Sequence, residues 1–297
     1  VTHFVELVLQ GLGNGSYYAL LAVGFVIIYK ATRIISFAQP ALMVTGASFV
    51  VAFATDRGWN FYLSVLLAMG CTAVVALVIE RLALRPMVGK PVFVVAIITI
   101  GIDVSIRVFV NRFLGADVRS ISDPWKLGSV SIGDVRIQQR HLAMMVTTAL
   151  VITALFAFFK YSRAGLAMRA TAADQETALA HGVSVGTVFA LSWALAGALA
   201  ALAGTFVAAG SAVNQETWTV ALKALPAIIV GGLDSVGGAV VGGLLIGVVE
   251  ALMGGYQAEH LPWLGSNFDI VSPYVVMLVV LLVRPYGLFG TPEIERV

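Results

Sequence analysis

Residues 92–102 read Val-Phe-Val-Val-Ala-Ile-Ile-Thr-Ile-Gly-Ile, and residues 275–283 read Val-Val-Met-Leu-Val-Val-Leu-Leu-Val. Both runs are apolar on every side, without the alternating polarity of a barrel strand. In hydrocarbon the backbone N–H and C=O groups must pair within the segment, so such runs are read as helices. The same texture covers the whole chain. Of its 297 residues 59% are hydrophobic and 11% charged, against roughly 25% charged in a soluble domain. The mean hydropathy of +0.95 is too high for one buried core helix or a single anchor to explain. The expected fold class is all-α, a polytopic integral membrane protein with about 8–9 transmembrane helices, some short or broken.

Nine helical segments are expected, at about Val5–Tyr29, Phe37–Ala54, Phe61–Ile79, Val92–Val110, Leu142–Phe159, Thr187–Ala209, Val220–Val230, Ala239–Met253 and Ile270–Val283. Residues 1–297 are read as one transmembrane domain, with hydrophilic stretches at about 111–141 and 160–185. The first residues lack a basic n-region and a cleavage site, so the opening segment reads as a retained span. Ten Lys and Arg lie near span ends on the side that carries Lys30, Arg85, Lys160 and Arg284, and six lie on the other. The positive-inside rule then places 160–185 and the C-terminus in the cytoplasm, and 111–141 outside it. The net charge of +2 is dispersed, which gives no footprint for nucleic acid.

Several chemistries find no support. No Walker A pattern occurs, and Gly11, Gly13 and Gly15 follow no strand, so they read as close-packing positions. The lone Cys71 reads as a small core residue. No Cys/His cluster has zinc spacing and no Ser/His/Asp set converges, so neither a catalytic site, a metal nor a cofactor is expected. Ionisable residues inside spans are functional candidates by default. Asp103 and Arg107 are four apart and read as a mutually neutralising pair rather than a proton relay. Glu80 with Arg81 sits at a span end and is expected to snorkel. Glu250 has no sequence-local partner and is the one candidate for an ion-coupling acid. Uncharged polar residues suit a path for a small polar solute: Asn14, Ser16 and Tyr17, then Gln39 and Thr45, then Asn214, Gln215 and Thr217, each set against the plainer reading of an interhelical contact. The glycine-rich run 231–243 reads either as an unwound segment beside a path or as a tight turn with close packing.

Residues 169–183 describe a short helix at the cytoplasmic surface, with Asp174 and Ala178 at i, i+4 spacing and Gly182 placed to end it. Its small-residue face, including Ala173, suits a groove on a partner, set against the plainer reading of a solvated connector.

Four segments in the same order then resemble one family, the LivH-type permease subunits of bacterial ABC importers for branched-chain amino acids. Ile79–Pro86 is similar to its Glu-Arg-x-x-x-Arg-Pro segment, 169–182 to its coupling helix, 231–243 to its glycine-rich segment, and Arg284–Gly290 to its Pro-x-Gly-Leu-Phe-Gly ending. The chain departs from the family where Ser36–Ala41 reads Ser-Phe-Ala-Gln-Pro-Ala in place of Asn-Phe-Ala-His-Gly-Glu. Ala173 stands where an acid is common, and Asp234 where glycine is usual. The resemblance implies a multi-pass permease subunit of the bacterial inner membrane, itself no enzyme and in contact with membrane lipid. Its implied partners are a LivM-like second permease, two LivG/LivF-like ATP-binding cassette subunits and an extracytoplasmic solute-binding protein. Ala173, Asp174, Ala178 and Gly182 would carry the coupling. The rival reading is an ion-coupled transporter or channel that works without an ATPase, and a membrane scaffold with no transport role is the third.

Overall fold

The computed structural model describes residues 2–87, 90–114, 119–125, 128–210, 212–213, 217–264 and 267–291. In chain order these form α1 (Thr2–Thr32), α2 (Gln39–Val50), α3 (Phe61–Ile79), α4 (Val92–Leu114), β1 (Ser129–Ile132), β2 (Val135–Gln138), α5 (Gln139–Tyr161), α6 (Arg163–Ala173), α7 (Gln175–Ala180), α8 (Val185–Gly210), α9 (Trp218–Leu222), α10 (Ala224–Gly231), α11 (Val236–His260) and α12 (Phe268–Val283). Two π-helical turns, Val51–Asp56 and Glu80–Leu84, prolong α2 and α3.

All nine expected segments are helical, and among the described residues six helices are long and apolar enough to cross a membrane. The apolar stretches Trp218–Gly231 and Phe268–Val283 are shorter. The α4 window is only 17% buried, whereas that of α1 is 83% buried. Phe93, Ile97, Ile100, Val104 and Val108 are exposed on α4 at steps of three and four, a face that suits hydrocarbon and would be a liability in water. The stretch 111–141 holds the antiparallel β1–β2 hairpin, which turns at Gly133 with φ of 63°.

The chain divides into two compact units, residues 27–124 with 149–221, and residues 1–26 with 125–148 and 222–297. In the first, α2 is almost wholly buried and packs on α3, α4 and α8. Small residues permit the close approach: a Cβ on Gly46 would lie 2.2 Å from the Ala201 Cα, and one on Gly204 2.3 Å from the Met43 carbonyl oxygen.

In the second unit, α10, α11 and α12 pack together, and the glycines of α1 meet those of α11. A Cβ on Gly15 would stand 2.7 Å from the Leu244 Cα, and one on Gly247 2.3 Å from the Gly15 nitrogen. The run 231–243 is the tight turn of the two readings. α10 ends at Gly231, Gly232 adopts φ of 106°, and Ser235 caps α11 by accepting from the Gly238 N–H at 3.0 Å. The last α10 carbonyls are then taken up by the C-terminal segment, where Leu288 N–H donates to Val230 O at 2.8 Å and Phe289 N–H to Gly231 O at 3.1 Å. Asp234 accepts from the Thr291 hydroxyl. Two sequence motifs about fifty residues apart thus form one clasp that satisfies a helix C-terminus.

Candidate functional site

The segment 162–184 is built from local caps. The Ser162 side chain accepts from Gly165 N–H at 2.9 Å and starts α6. One continuous helix through Asp174 was expected; instead the backbone becomes extended there, with φ of −155° and ψ of 116°. The Asp174 carboxylate accepts from the N–H groups of Glu176 at 2.9 Å and Thr177 at 3.1 Å, and from the Thr177 hydroxyl at 2.8 Å. A short acidic side chain competes for free amides more effectively at a helix start than inside a helix, so α6 stops and α7 begins. The Thr177 amide and hydroxyl, with the Glu176 amide, hold the carboxyl below the usual carboxylate range.

Gly182 ends α7 as expected. It has φ of 81°, its N–H reaches Leu179 O at 2.9 Å, and the Val183 N–H reaches Ala178 O at 3.0 Å. These paired bonds are the Schellman closure, which favours glycine at its left-handed position. Ala178 is only 4% exposed, so it seats α7 on its own chain. The outward groups are Ala173, Glu176, Thr177 and Leu179. The elbow between α6 and α7 is tied to the end of α1 by two reciprocal bonds. Arg33 Nη2 donates to Ala172 O at 3.1 Å, and Gln175 Nε2 donates to Ala31 O at 2.9 Å.

Glu80 does not snorkel. It is 2% exposed, and its Oε1 accepts from Arg85 Nε at 3.2 Å. The π-turn over Glu80–Leu84 brings residues five apart onto one face, which α-helical spacing does not. Arg85 also donates from Nη2 to Gly186 O at 2.8 Å, near the start of α8. The first and last basic groups of the Glu-Arg-x-x-x-Arg-Pro pattern therefore differ, since Arg81 is exposed and Arg85 is a cross-link.

Other polar groups are more scattered. Gln39 is fully buried and donates from Nε2 to Ala196 O at 3.2 Å. Thr45 bonds back to Ala41 O in its own helix at 2.7 Å, and its six-residue offset from Gln39 puts the two about 120° apart on α2. Asn14 is half-buried on α1, and Ser16 bonds within that helix to Leu12 O. Thr217 is buried, while Asn214 and Gln215 lie outside the described residues. Asp103 and Arg107 form the expected pair, with Nη2 to Oδ2 at 2.6 Å, and the guanidinium sits 4.2 Å from the Trp218 ring centroid.

Glu250 does have partners. Its Oε2 accepts from the Tyr18 hydroxyl at 2.6 Å, and its Oε1 pairs with the Lys223 ammonium. The sequence signal was the presence of one acid and one base in apolar stretches, but 27 residues separate them, beyond any local periodicity.

These helices and polar contacts define a multi-pass membrane protein. The chain matches the family described as "Branched-chain amino acid transport system / permease component" over residues 7–283, and it belongs to that family. Its relatives include the permease protein LivH of the high-affinity branched-chain amino acid transport system of Salmonella typhimurium, 30% identical over 99% of this chain and 98% of that one. LivH of Escherichia coli K12 is 29% identical with the same coverage. BraD of Pseudomonas aeruginosa, described in the same terms, is 29% identical over 100% of this chain and 99% of its own. Among solved structures, PsaBC from Streptococcus pneumoniae in complex with Fab has a TM-score of 0.50 at 13% identity, covering 96% of this chain and 93% of that one. That likeness concerns the fold alone.

Proposed function

We propose that this permease component carries branched-chain amino acids or similar small polar solutes inward across a bacterial cytoplasmic membrane. Two ATP-binding cassette subunits would drive it, a LivM-like chain would complete the passage, and an extracytoplasmic solute-binding protein would deliver the cargo. The observation that carries this reading is the construction of 162–184. Its outward residues sit on two capped helices, and its elbow is bonded to α1 rather than only to the adjoining α5 and α8. A push on Glu176 or Leu179 would reach the end of α1 through Gln175 and Arg33, because hydrogen-bonded elements move together. Asp174 and Gly182 keep α7 short, and Ala178 seats it. Gln39, Thr45 and Asn14, with Asn214 and Gln215, are the proposed path residues. Glu250, the acid that the ion-coupled alternative would use, is held by Lys223 and Tyr18, which favours a structural role for it.

The test uses the assembled complex in proteoliposomes. Ala178→Arg, which cannot be seated, and Gly182→Val, which cannot hold φ of 81° without strain, should insert normally but lose solute uptake per ATP hydrolysed by tenfold or more. Wild-type coupling in both would remove the assignment.

A further inference from the structure

Within residues 27–124 and 149–221, a cavity of about 120 Å³ lies where the π-turn after α3 ends and α4 begins. Its inner walls are apolar, formed by Ile28, Leu84, Val95, Phe189 and Trp193. At about 10–15 Å³ for each water-sized group, that volume takes a hydrocarbon segment of about ten carbons. The exposed wall residues are Lys90 and Val92, so the mouth lies at the start of α4. Val92, with Phe93 next to it and Leu82 two residues before Leu84, is exposed although apolar. In a membrane-spanning chain such a surface faces hydrocarbon, and the cavity therefore opens sideways to the bilayer. Lys90 stands two residues before α4 and Arg85 directly follows the π-turn, which puts both cations at span ends, the level of the lipid headgroups. Charge at this rim is unbalanced. Glu80, the one acid among the described wall residues, is already neutralised by Arg85, with Oε1 to Nε at 3.2 Å. Lys90 is exposed, and its ammonium has no partner among the described residues.

We propose that this cavity holds one anionic phospholipid, drawn from the leaflet on the Lys30 and Arg85 side. The positive-inside count makes that the cytoplasmic leaflet. The lipid phosphate meets the Lys90 ammonium, and the upper part of one acyl chain lies against Ile28, Leu84 and Val95. An amphiphile suits the site because the cation is at the rim and the interior is apolar. A soluble anion would leave the apolar interior unfilled, and an uncharged lipid would leave Lys90 unmatched. The headgroup is selected by the same balance. Phosphatidylethanolamine brings its own ammonium to a rim whose uncompensated charge is already positive, whereas basic recesses between helices on the cytoplasmic side favour anionic headgroups. Gln175, which donates to Ala31 O and so ties the elbow to α1, is also part of the wall. The bound chain therefore lies against that elbow and braces it from the bilayer side.

The experiment measures lipid retention by the detergent-solubilised complex. The complex is incubated with phosphatidylglycerol or phosphatidylethanolamine of matched chains, washed free of loose lipid, and analysed by native mass spectrometry. Phosphatidylglycerol should be retained at least tenfold more tightly than phosphatidylethanolamine. Lys90→Gln, an exposed substitution that leaves the packing untouched, should weaken retention of phosphatidylglycerol tenfold or more. Val95→Trp should do the same by filling the apolar interior with the rim charge intact. Lys160→Gln removes an exposed span-end charge outside the cavity and should retain the lipid as the wild type does. Equal retention of the two lipids, wild-type retention in Lys90→Gln, or an equal loss in Lys160→Gln would overturn the site, the last because any surface cation would then serve. Displacement of phosphatidylglycerol by millimolar glycerol 1-phosphate would also overturn it, since the rim would then bind a free phosphate without using the apolar interior.

Discussion

Replacing Lys223 with Met leaves the Glu250 carboxylate in place with its counter-charge gone. The two side chains are 15% and 14% exposed, so most of the carboxylate's hydration has already been given up. Removing one partner of a fully buried ion pair costs about 3–5 kcal/mol. The residual exposure and the remaining Tyr18 hydroxyl at 2.6 Å argue for the lower end, about 3 kcal/mol. The double variant Lys223→Met with Glu250→Gln removes both charges and keeps an acceptor for Tyr18. It should regain about half of that loss, a coupling in the range for contacting residues. The assay is reversible unfolding of the detergent-solubilised chain, followed by tryptophan fluorescence, with both single variants and the double forming a cycle. A Lys223→Met protein within about 0.5 kcal/mol of wild type, or a double equal to the sum of the singles, would refute the account. The same variants separate the functional readings. If the pair is structural, folded Glu250→Gln protein retains ATP-driven uptake, and if Glu250 shuttles protons, uptake falls although the fold survives.

Gly46→Val places branched carbon where even a Cβ would stand 2.2 Å from the Ala201 Cα, so α2 and α8 must separate. A loss of at least about 1–3 kcal/mol is expected, the usual range for overpacking, read in the same unfolding assay. For Asp174, whose carboxyl is held below its ordinary range by Thr177 and Glu176, the sign follows from the depressed value. The cap's contribution is present above the unfolded carboxylate pKa and is lost as pH falls through the folded one. Amide exchange at Glu176 and Thr177 should accelerate in acid relative to neighbouring amides in the wild type. Asp174→Ala should show fast exchange at every pH, and an unchanged acid response in that variant would contradict the capping account.

Local signals were the ones that reached the surface of the sequence. The apolar runs located nine helical segments, the seventh of which is divided into α9 and α10, and Gly182 marked the end of α7 because a left-handed residue is a common way to close a helix. Asp174 was found but misassigned, since i, i+4 spacing and N-cap chemistry use the same residue type, and here the free amides of Glu176 and Thr177 won. Position at a span end, beside Arg81, suggests that Glu80 snorkels, but the π-turn brings Arg85 onto its face and the carboxylate is buried against that partner. Gln39 and Thr45 were candidates by polarity alone, a property that does not distinguish a lining residue from one bonded inside the protein.

The sequence alone determined that the chain is helical and membrane-embedded, where its hydrophilic segments fall, and that Gly182 ends a helix in the second of them. Those properties follow from composition and from interactions within a few residues. Tertiary structure decided that Lys223 neutralises Glu250, that Arg284–Gly290 clasps the end of α10, that α1 holds the α6–α7 elbow, and that Glu80, Lys90 and Trp193 border one cavity. Each joins residues whose separation along the chain carries no periodic mark. Helix packing brings them together, and in an apolar surrounding a buried charge or N–H must then take whichever partner that packing supplies.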